Sequence, residues 1–395
     1  MSTDLNMEYQ EVKFGDICRE VKLTTKDPIA DGYDKYIGLE HLDSGSLKIK
    51  RWGLIAEDNP SFTRVFKKGH ILIGKRRPYL KKAAIAEFDG ICSGDIIVVE
   101  SSDSIYESLL IHLIHTESFW DWAVKYSSGS LSPRTKFSLL KEYVCKVPNK
   151  EHISAFAKKV KRLVKLEEIY ISSSVSLNDM KNIISYKLML LDNSFHDLFI
   201  GKYPILKENW KLDRLGSVLS NIQYGLSEEM SDQGDYPVLR MGNLSEGKVI
   251  DNNLKYINLD ADELEKYKLY QGDILFNRTN SMDWVGKVAQ FELEGDYVFA
   301  SYLLRLNTNE RISPSYLNRY LNLPIIQYRL KAYATPGVSQ ANINPTSIRN
   351  FPILLPPIEE QEKIEKILSK IDLSLEKINS QLTFIRTAIS HFRDI

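Results

Sequence analysis

Residues Gly129–Pro148 read GSLSPRTKFSLLKEYVCKVP, and residues Gly337–Pro356 read GVSQANINPTSIRNFPILLP. The two stretches align without a gap: glycine begins both, proline ends both, and Tyr143 matches Phe351. Polar residues occupy the same part of each stretch, before the apolar end. The chain therefore contains an internal duplication, and this duplication determines how the rest of the sequence is interpreted.

Two further matches lie upstream of these stretches. Tyr36–Gly45 (YIGLEHLDSG) matches Val238–Gly247 (VLRMGNLSEG), and Gly69–Leu72 (GHIL) matches Gly272–Leu275 (GDIL). The period is about 200 residues, far above the range of roughly 20–50 that is typical of stacked repeats. We therefore predict two similar globular modules, each followed by a helix.

Each module combines short strands with a helix and a polar loop, so the predicted class is α+β. Apolar residues recur at helical spacing within 105–126 and within 315–333, and each helix precedes a loop, the second at Ala334–Asn344. Runs of β-branched and aromatic residues between turn residues predict the strands. These are Tyr36–Leu39, His70–Ile73, Ala83–Phe88 and Ile96–Glu100, then Val238–Met241, Ile274–Phe276, Gly286–Phe291 and Val298–Leu306.

A long apolar stripe follows each module, beginning at Glu151 and at Glu359. Apolar residues three or four apart for roughly 35–40 residues are typical of a coiled coil. We predict that the first helix breaks near Ser172–Ser176, ends near Leu190 and is followed by a linker, Asp192–Pro204. Two such helices after equivalent modules favour antiparallel pairing with a pseudo-two-fold axis. The alternative is that each helix packs only on its own module.

Composition sets broad limits on function. The 395 residues contain 52 basic and 52 acidic side chains, so the chain as a whole has no net charge. Neutrality counts mildly against a nucleic-acid binder, but Arg64–Lys82 contains eight basic residues and no acidic one. Three scattered cysteines argue against zinc or disulfides. No export signal or long apolar run is visible, so we expect a cytoplasmic protein without membrane segments.

Catalytic motifs are missing from the sequence. It has no GxSxG, HExxH, P-loop or GxGxxG pattern, and no [DNS]PP[YFW] tetrapeptide. Asp235 with Glu246-Gly247-Lys248 loosely fits a nuclease D…ExK pattern, but Gly247 shares a turn position with Gly45, so we predict a turn there. His112 and His115 lie on an apolar helix and are expected in the core or half-buried. No metal or cofactor site is predicted.

Polar side chains follow equivalent strands and fill equivalent loops in both modules. Arginine suits guanine, asparagine and glutamine suit adenine, and lysine or hydroxyl groups suit phosphates. Solvated turns are the alternative, but recurrence at one topological place favours DNA binding. The candidates are Lys75, Arg76, Arg77, Lys81, Ser132, Arg134 and Lys136 in the first module, and Tyr224, Arg240, Asn277, Arg278, Thr279, Asn280, Ser281, Gln340, Asn342 and Asn344 in the second.

The second module resembles the DNA specificity subunit of type I restriction-modification enzymes. In that family a target-recognition domain ends in a loop and a PLPPLxEQxxI segment that begins a long helix, and Pro352–Gln361 (PILLPPIEEQ) matches this segment. The likeness is strong over residues 210–395. It is weaker over 1–200, where Val147–His152 (VPNKEH) departs from the PP…EQ form, so the first assignment depends on the repeat. The other matching blocks are Tyr236–Ile250, Tyr270–Phe291 and Ser339–Ile364.

The resemblance implies a non-catalytic subunit that reads a bipartite site in double-stranded DNA. Each target-recognition domain would read one half through the major groove, and the helices would set the spacing. The implied partners are two modification subunits, which carry S-adenosylmethionine and methylate adenines, and motor-nuclease restriction subunits. The domains expected are residues 1–148 and 201–356 for recognition, with spacer segments at 149–200 and 357–395. The alternatives are a coiled-coil protein–protein scaffold, the recognition subunit of a methylation-only complex, or a stand-alone enzyme.

Overall fold

The computed structural model describes residues 8–191, 193, 195–203, 206–337 and 340–394. The chain has an α+β fold and divides into two compact units, as the duplication predicts. One unit comprises residues 1–172 with 379–395, and the other comprises residues 173–378. Each unit therefore contains one module and part of each long helix.

The first unit is built on two four-stranded sheets and one antiparallel strand pair. Alternate residues of the central strand Ile96–Ser101 enter two different clusters: Ile97 and Val99 join one, and Ile96 and Val98 the other. This alternation is the two-residue period of a strand that is buried on both faces. One sheet has the spatial order Cys18–Glu20, Ile96–Ser101, Ile71–Gly74, Ala83–Ile85. The other has the order Gly53–Leu54, Lys35–Ile37, Gly90–Cys92, Arg64–Phe66. The strand pair is Tyr9–Lys13 with Val144–Pro148.

The second unit repeats this plan with additions. Its central strands alternate in the same way, with Ile274 and Phe276 in one cluster and Leu275 in another. Its six-stranded sheet has the order Leu219–Tyr224, Leu303–Thr308, Ile274–Asn277, Val288–Gln290, Gly247–Val249, Leu244–Ser245. The smaller sheets are Lys255–Ile257, Tyr236–Leu239, Val298–Phe299 and Thr279–Asn280, Ala341–Asn342, Thr335–Pro336, and the strand pair is Lys211–Arg214 with Pro352–Leu355.

The helices differ from the sequence prediction in three places. The helix expected over 105–126 is two helices because Thr116 caps the second, accepting a hydrogen bond from the Phe119 N–H. The helix expected over 315–333 is also two, since Pro324 starts a new one. The short helices are Phe14–Ile17, Ile55–Asp58, Ser104–Ile114, Glu117–Lys125, Phe137–Leu140, Phe195–Phe199, Ala261–Tyr267, Pro314–Leu321, Pro324–Lys331 and Pro345–Asn350, with 3-10 turns at Leu39–His41, Pro78–Leu80, Leu215–Val218 and Met241–Asn243.

The third difference concerns the first long helix, which is continuous over Lys150–Leu190. The break predicted near Ser172–Ser176 is wrong, because serine lowers helix propensity only slightly and packing against another helix outweighs that loss. The second long helix covers Ile358–Asp394. The strand predicted over 298–306 is likewise two strands, Val298–Phe299 and Leu303–Thr308.

The two long helices pair antiparallel. Within the first unit Arg386 Nε lies 2.9 Å from Glu167 Oε1, and within the second Lys181 Nζ lies 2.7 Å from Asp372 Oδ1. The higher-numbered position of one helix thus pairs with the lower-numbered position of the other. The predicted antiparallel coiled coil is confirmed, and the alternative in which each helix packs only on its own module is excluded.

Candidate nucleic-acid interface

In the first module the basic strand exit and the polar loop meet in one surface. The Thr135 N–H donates to the Lys75 carbonyl at 2.9 Å, and the Arg77 N–H donates to the Pro133 carbonyl at 2.7 Å. Arg76 and Arg134 face each other in an antiparallel β-bridge. Two segments that the sequence treats as separate candidates are therefore fixed side by side by their backbones.

The second module makes the same junction. Its strand Thr279–Asn280 pairs antiparallel with Ala341–Asn342, and the Ile343 N–H donates to the Arg278 carbonyl at 2.9 Å. In the alignment Ile343 corresponds to Thr135 and Arg278 to Lys75, so this hydrogen bond occurs in both copies. The backbone of the junction is shared between the modules, and only the side chains that it presents differ.

Charge dominates the surface of the first module. Arg76 Nε donates to Ser132 Oγ at 2.5 Å, which orients its guanidinium group. Arg134 Nε lies 3.0 Å from Asp95 Oδ1, and Lys81 pairs with Glu117. Lys75 is half-buried, while Arg77 and Lys136 are exposed at the same junction. These cations suit a polyanionic partner.

The backbone around Arg77 is unusual. Arg77 has φ 54° and Lys81 has φ 49°, and the 3-10 turn Pro78–Leu80 lies between them. Residues other than glycine seldom adopt this left-handed conformation, and those that do concentrate at functional sites. The two left-handed residues turn the chain sharply, so that a cluster of cations follows directly on a buried strand.

The second module presents a stacked arginine. The Arg278 guanidinium lies 5.0 Å from the centroid of the Tyr224 ring, and its Nη1 donates to the Ser301 carbonyl at 3.4 Å. The Tyr224 side chain is 46% exposed, so the stacked pair reaches the surface. Stacking restrains the planar guanidinium and leaves donor groups available for a bidentate acceptor.

The other predicted residues of the second module vary in exposure. Asn280 is half-buried, with its Nδ2 3.2 Å from Met241 Sδ, whereas Ser281 and Gln340 are exposed beside it. Arg240 is occupied by the Asn253 carbonyl, to which its Nη2 donates at 2.5 Å. The loop residue Ser339 lies outside the described residues.

Three of the predicted residues have structural roles. Asn277 is fully buried and its Nδ2 donates to the Trp284 carbonyl at 3.2 Å, so its prediction as a DNA contact is wrong: the last residue of this strand points inward. Thr279 is also buried and accepts a hydrogen bond from Asn342 Nδ2 at 3.0 Å. Asn344 remains exposed, but its Oδ1 caps the helix Pro345–Asn350.

Exposed aromatic side chains were missed by the sequence reasoning. Trp284 is 52% exposed and follows the polar segment at the strand exit, with Lys287 Nζ 3.6 Å from the centroid of its ring. In the first module Tyr79 is exposed within the 3-10 turn between the left-handed residues. A tryptophan in an otherwise polar turn was the available signal, because tryptophan and tyrosine are enriched among the residues that contribute most to binding interfaces.

The nuclease-like segment and the cysteines have structural roles in the fold. Glu246 and Gly247 have φ 49° and 80° and form the turn between two strands, as predicted, and Lys248 pairs with Glu376 at 2.7 Å. Burial raises the pKa of Cys92 and of Cys145 to about 12, which keeps both thiols protonated. Among the described residues, no group of three or more His, Cys, Asp or Glu could hold a metal ion.

His112, in the helix Ser104–Ile114, and His115, the C-cap residue of that helix, are both buried, as expected. His115 Nε2 lies 3.0 Å from the Ala83 carbonyl oxygen, and His112 is 8% exposed.

Within the described part of the chain, no helix has the length and apolar character needed to cross a membrane.

Comparison with known proteins shows which family part of the chain resembles. Residues 207–383 match the family model for the type I restriction modification DNA specificity domain. The chain is 34% identical over 203 residues to a protein of Methanocaldococcus jannaschii described as the type I restriction enzyme MjaX specificity subunit. It is 25% identical over 174 residues to the type I restriction enzyme EcoKI specificity subunit of Escherichia coli. The second module is thus similar to the DNA specificity domains of type I restriction-modification enzymes.

The extent of these matches differs between sequence and fold. The sequence matches cover 50% and 42% of this chain and 47% and 38% of the two relatives, so the chain matches about half or less of their lengths. In fold, the S subunit of a type I restriction-modification system from M. genitalium matches 100% of this chain and 97% of its own, with a TM-score of 0.62 and 14% identity. A protein from a type I R-M system structure matches 98% of this chain, with a TM-score of 0.61.

Proposed function

We propose that this chain is a DNA-recognition subunit of a type I restriction-modification complex, and that each module reads one half of a bipartite site. The observation that carries the proposal is the junction between strand exit and loop. Its backbone hydrogen bond is the same in both modules, 2.9 Å in each, whereas the side chains change from Lys, Arg and Arg to Arg, Thr and Asn. A shared frame with exchanged polar side chains is what two readers of different sequences require.

The proposed contacts fall into two chemical groups. Side chains with paired donors, or with a donor and an acceptor, suit base edges, whereas isolated ammonium and hydroxyl groups suit phosphates. Tyr224 serves as a platform that orients Arg278, and Arg240 lies at the margin of the site. The proposed base-reading residues are Arg76, Arg77, Arg134, Arg278, Asn280, Gln340 and Asn342, and the proposed phosphate-binding residues are Lys75, Lys81, Ser132, Lys136 and Ser281.

The proposal assigns catalysis to partner subunits. Two modification subunits would supply S-adenosylmethionine and methylate adenine, and motor-nuclease subunits would cut unmodified DNA. Support for docked partners comes from apolar side chains that the long helices expose, which include Met180 at 52% and Phe384 at 70%. Exposed apolar surface of this kind on a helix is typical of a protein–protein interface. The other exposed apolar residues on these helices are Leu166, Ile169, Ile171, Val175, Ile183, Ile367 and Leu373.

The domain division follows from the same proposal. Residues 1–148 and 201–356 are the two target-recognition domains, and residues 149–200 and 357–395 are spacer segments that contain the long helices. The antiparallel ion pairs between those helices support a spacer of fixed length. We expect the number of base pairs between the two half-sites to depend on that length.

The test is to map methylated adenines in the host genome with and without this gene. A bipartite motif, with methylation on both halves, is expected in the wild-type strain and is expected to disappear completely on deletion. If the deletion also changes how well DNA is protected from cleavage, the complex has a restriction activity. If only methylation changes, the complex is a methylation-only one. A methylome that is identical in the two strains would refute DNA recognition and favour the scaffold alternative.

A further inference from the structure

A small cavity opens beside the interface of the first module. Its volume is about 250 Å³, and it lies between the 3-10 turn Leu39–His41 and the basic strand exit. Its wall contains three cationic side chains and one acidic side chain, that of Glu40. The lining residues are Leu39, Glu40, Arg76, Arg77, Leu80 and Lys82.

Glu40 differs from the other acidic residues of this surface. Asp95 is paired with Arg134 and Glu117 with Lys81, so both carboxylates are neutralised. The Glu40 carboxylate, in contrast, has no cation within ion-pair distance among the described residues, although it is exposed and lines the same cavity as two arginines. It is therefore available to a ligand.

The backbone of Glu40 is held firmly while its side chain remains unpaired. Arg51 donates to the Glu40 carbonyl oxygen from Nη2 at 2.6 Å and pairs through the same group with Asp43 at 2.7 Å. Lys82 Nζ donates to the Leu39 carbonyl at 2.7 Å. Two cations thus fix the carbonyl groups of the turn, while the exposed carboxylate of Glu40 lies next to Gly38 without an ion pair among the described residues. Such support for the backbone favours a preorganised binding group.

A free carboxylate in a DNA-binding surface is repelled by phosphates, so its partner has to be a hydrogen-bond donor on a base. In the major groove the donors are the exocyclic amines of cytosine and adenine, and Glu is suited to cytosine N4. The neighbouring arginines favour the same base pair, because guanine presents two acceptors, O6 and N7, to a guanidinium group. One carboxylate beside Arg76 and Arg77 therefore matches the edge of a G·C pair.

The second module has no equivalent group. In the alignment Glu40 corresponds to Gly242, and Leu39 and Arg77 correspond to Met241 and Asn280. There the Asn280 amide lies 3.2 Å from Met241 Sδ, so the strand exit and the turn also meet in this copy but without a carboxylate. The feature is specific to the first module, as expected of a residue that determines sequence preference.

We infer that Glu40 is a specificity-determining residue of the first module, which accepts a hydrogen bond from the exocyclic amine of a cytosine while Arg76 or Arg77 contacts the paired guanine. Arg51 is a positioning residue for it. The inference rests on the proposed function and adds the base class that this site selects.

The test uses the full chain in its native complex with the modification subunits. Complexes with wild-type chain, Glu40→Gln, Glu40→Ala or Glu117→Gln are allowed to select from a library of random-sequence DNA duplexes, and the bound duplexes are sequenced. Both Glu40 variants are expected to lose roughly tenfold preference for cytosine at one position of one half-site. Their affinity for non-specific DNA is expected to rise, because a negative charge has been removed. Glu117→Gln removes the same charge and is expected to leave every base preference unchanged.

The outcomes separate this inference from the proposed function. If the wild-type complex selects no bipartite site, the proposed function fails. If the wild type selects such a site and the Glu40 variants keep the same preference at every position, the role of Glu40 is refuted. Loss of binding to all sequences in both Glu40 variants would also refute it, because that result would show a structural role. Arg51→Ala is expected to weaken the same cytosine preference as Glu40→Ala and no other.

Discussion

At the level of single residues, the sequence predicted the position of the junction between strand exit and loop better than the direction of its side chains. The strand exits and loops were found because polar residues recur at equivalent places in the repeat. Asn277 was assigned wrongly because the direction of a side chain at the end of a strand depends on where the strand turns, and here the amide points to the Trp284 carbonyl. The proposed role of Glu40 was not visible in the sequence, because Glu40 lines the same cavity as Arg76 and Arg77 only after folding.

Arg278 provides the residue-level prediction. Its guanidinium is stacked on Tyr224 and held at the surface, so Arg278→Ala is expected to cost about 1–3 kcal/mol of binding and to relax one position of one half-site. The measurement is selection from random duplexes by the complex, followed by binding titrations at several salt concentrations.

Lys81→Ala is the matched control for this substitution. If Lys81 contacts a phosphate, its loss weakens binding to all sequences and lowers the salt dependence by about one ion. If the Arg278→Ala complex selects the same motif as the wild-type complex from random duplexes, this arginine does not contact a base.

At the level of secondary structure, the motif that begins the second long helix has a clear physical basis. Gln361 is fully buried. Its Oε1 accepts from the Ser313 N–H at 2.9 Å, and its Nε2 donates to the carbonyls of Arg311 and Pro356, each at 2.9 Å. The glutamine of the PP…EQ motif thus joins the start of the helix to the second module. At the aligned position the first module has Ile153, which is buried, so the departure from the motif replaces a polar contact with an apolar one.

Gln361→Ala should therefore destabilise the fold. Three backbone groups, one buried and two partly buried, would lose their partner, at an expected cost of about 2–4 kcal/mol in the free energy of unfolding. Thermal or urea denaturation of the full chain measures this change. Lys363→Ala, two positions along the same helix and exposed, is the control and should change the free energy by less than about 0.5 kcal/mol. Equal effects of the two substitutions would contradict the structural role of the motif.

Other element boundaries depended on information that a local pattern does not contain. The sequence periodicity continues through Thr116 and Pro324, yet both residues start new helices. The two-residue strands Thr335–Pro336 and Ala341–Asn342 pair with each other, and the second also pairs with Thr279–Asn280. A loop composition gives no sign of such a distant partner. The long apolar stripes were predicted well because a period sustained over many turns is a strong signal.

The paired helices lead to a prediction about spacing. Deleting seven residues from each helix at matched positions, Ile169–Val175 and Ile378–Phe384, preserves the register between the Glu167–Arg386 and Lys181–Asp372 ion pairs. Each helix becomes about 10 Å shorter, which corresponds to about three base pairs of DNA. Methylome mapping should show the same two half-sites with a shorter gap.

A deletion in only one helix is the control, because it misaligns the ion pairs and should abolish methylation. If the matched deletion retains the original gap, the helices do not set the spacing.

At the level of the whole molecule, overall neutrality conceals a local basic surface. The 52 basic residues are balanced by 52 acidic ones, yet several cations gather at the first junction and the apolar residues of the helices remain exposed. Composition alone therefore counts mildly against the proposed DNA binding. The internal repeat favours it, because two equivalent places in the chain carry different polar groups.

The exposed helix surface predicts that the chain depends on its partners. Purified alone, it should aggregate or bind DNA weakly, because apolar side chains such as Met180 and Phe384 lack a covering surface. With modification subunits it should become a monodisperse complex with site-specific affinity. Light scattering after size-exclusion chromatography and DNA titration measure both properties. A monodisperse monomer with nanomolar, site-specific binding and no partner would contradict this expectation.

Exchange of the first module shows whether the two modules read DNA independently of each other. Residues 1–148 are replaced by the corresponding module of a relative with a different specificity, and methylated adenines are mapped in the host genome. If the modules are independent, one half of the methylated motif will be replaced by that of the relative. The other half and the gap between the halves will stay the same. A motif in which both halves change together would contradict this independence.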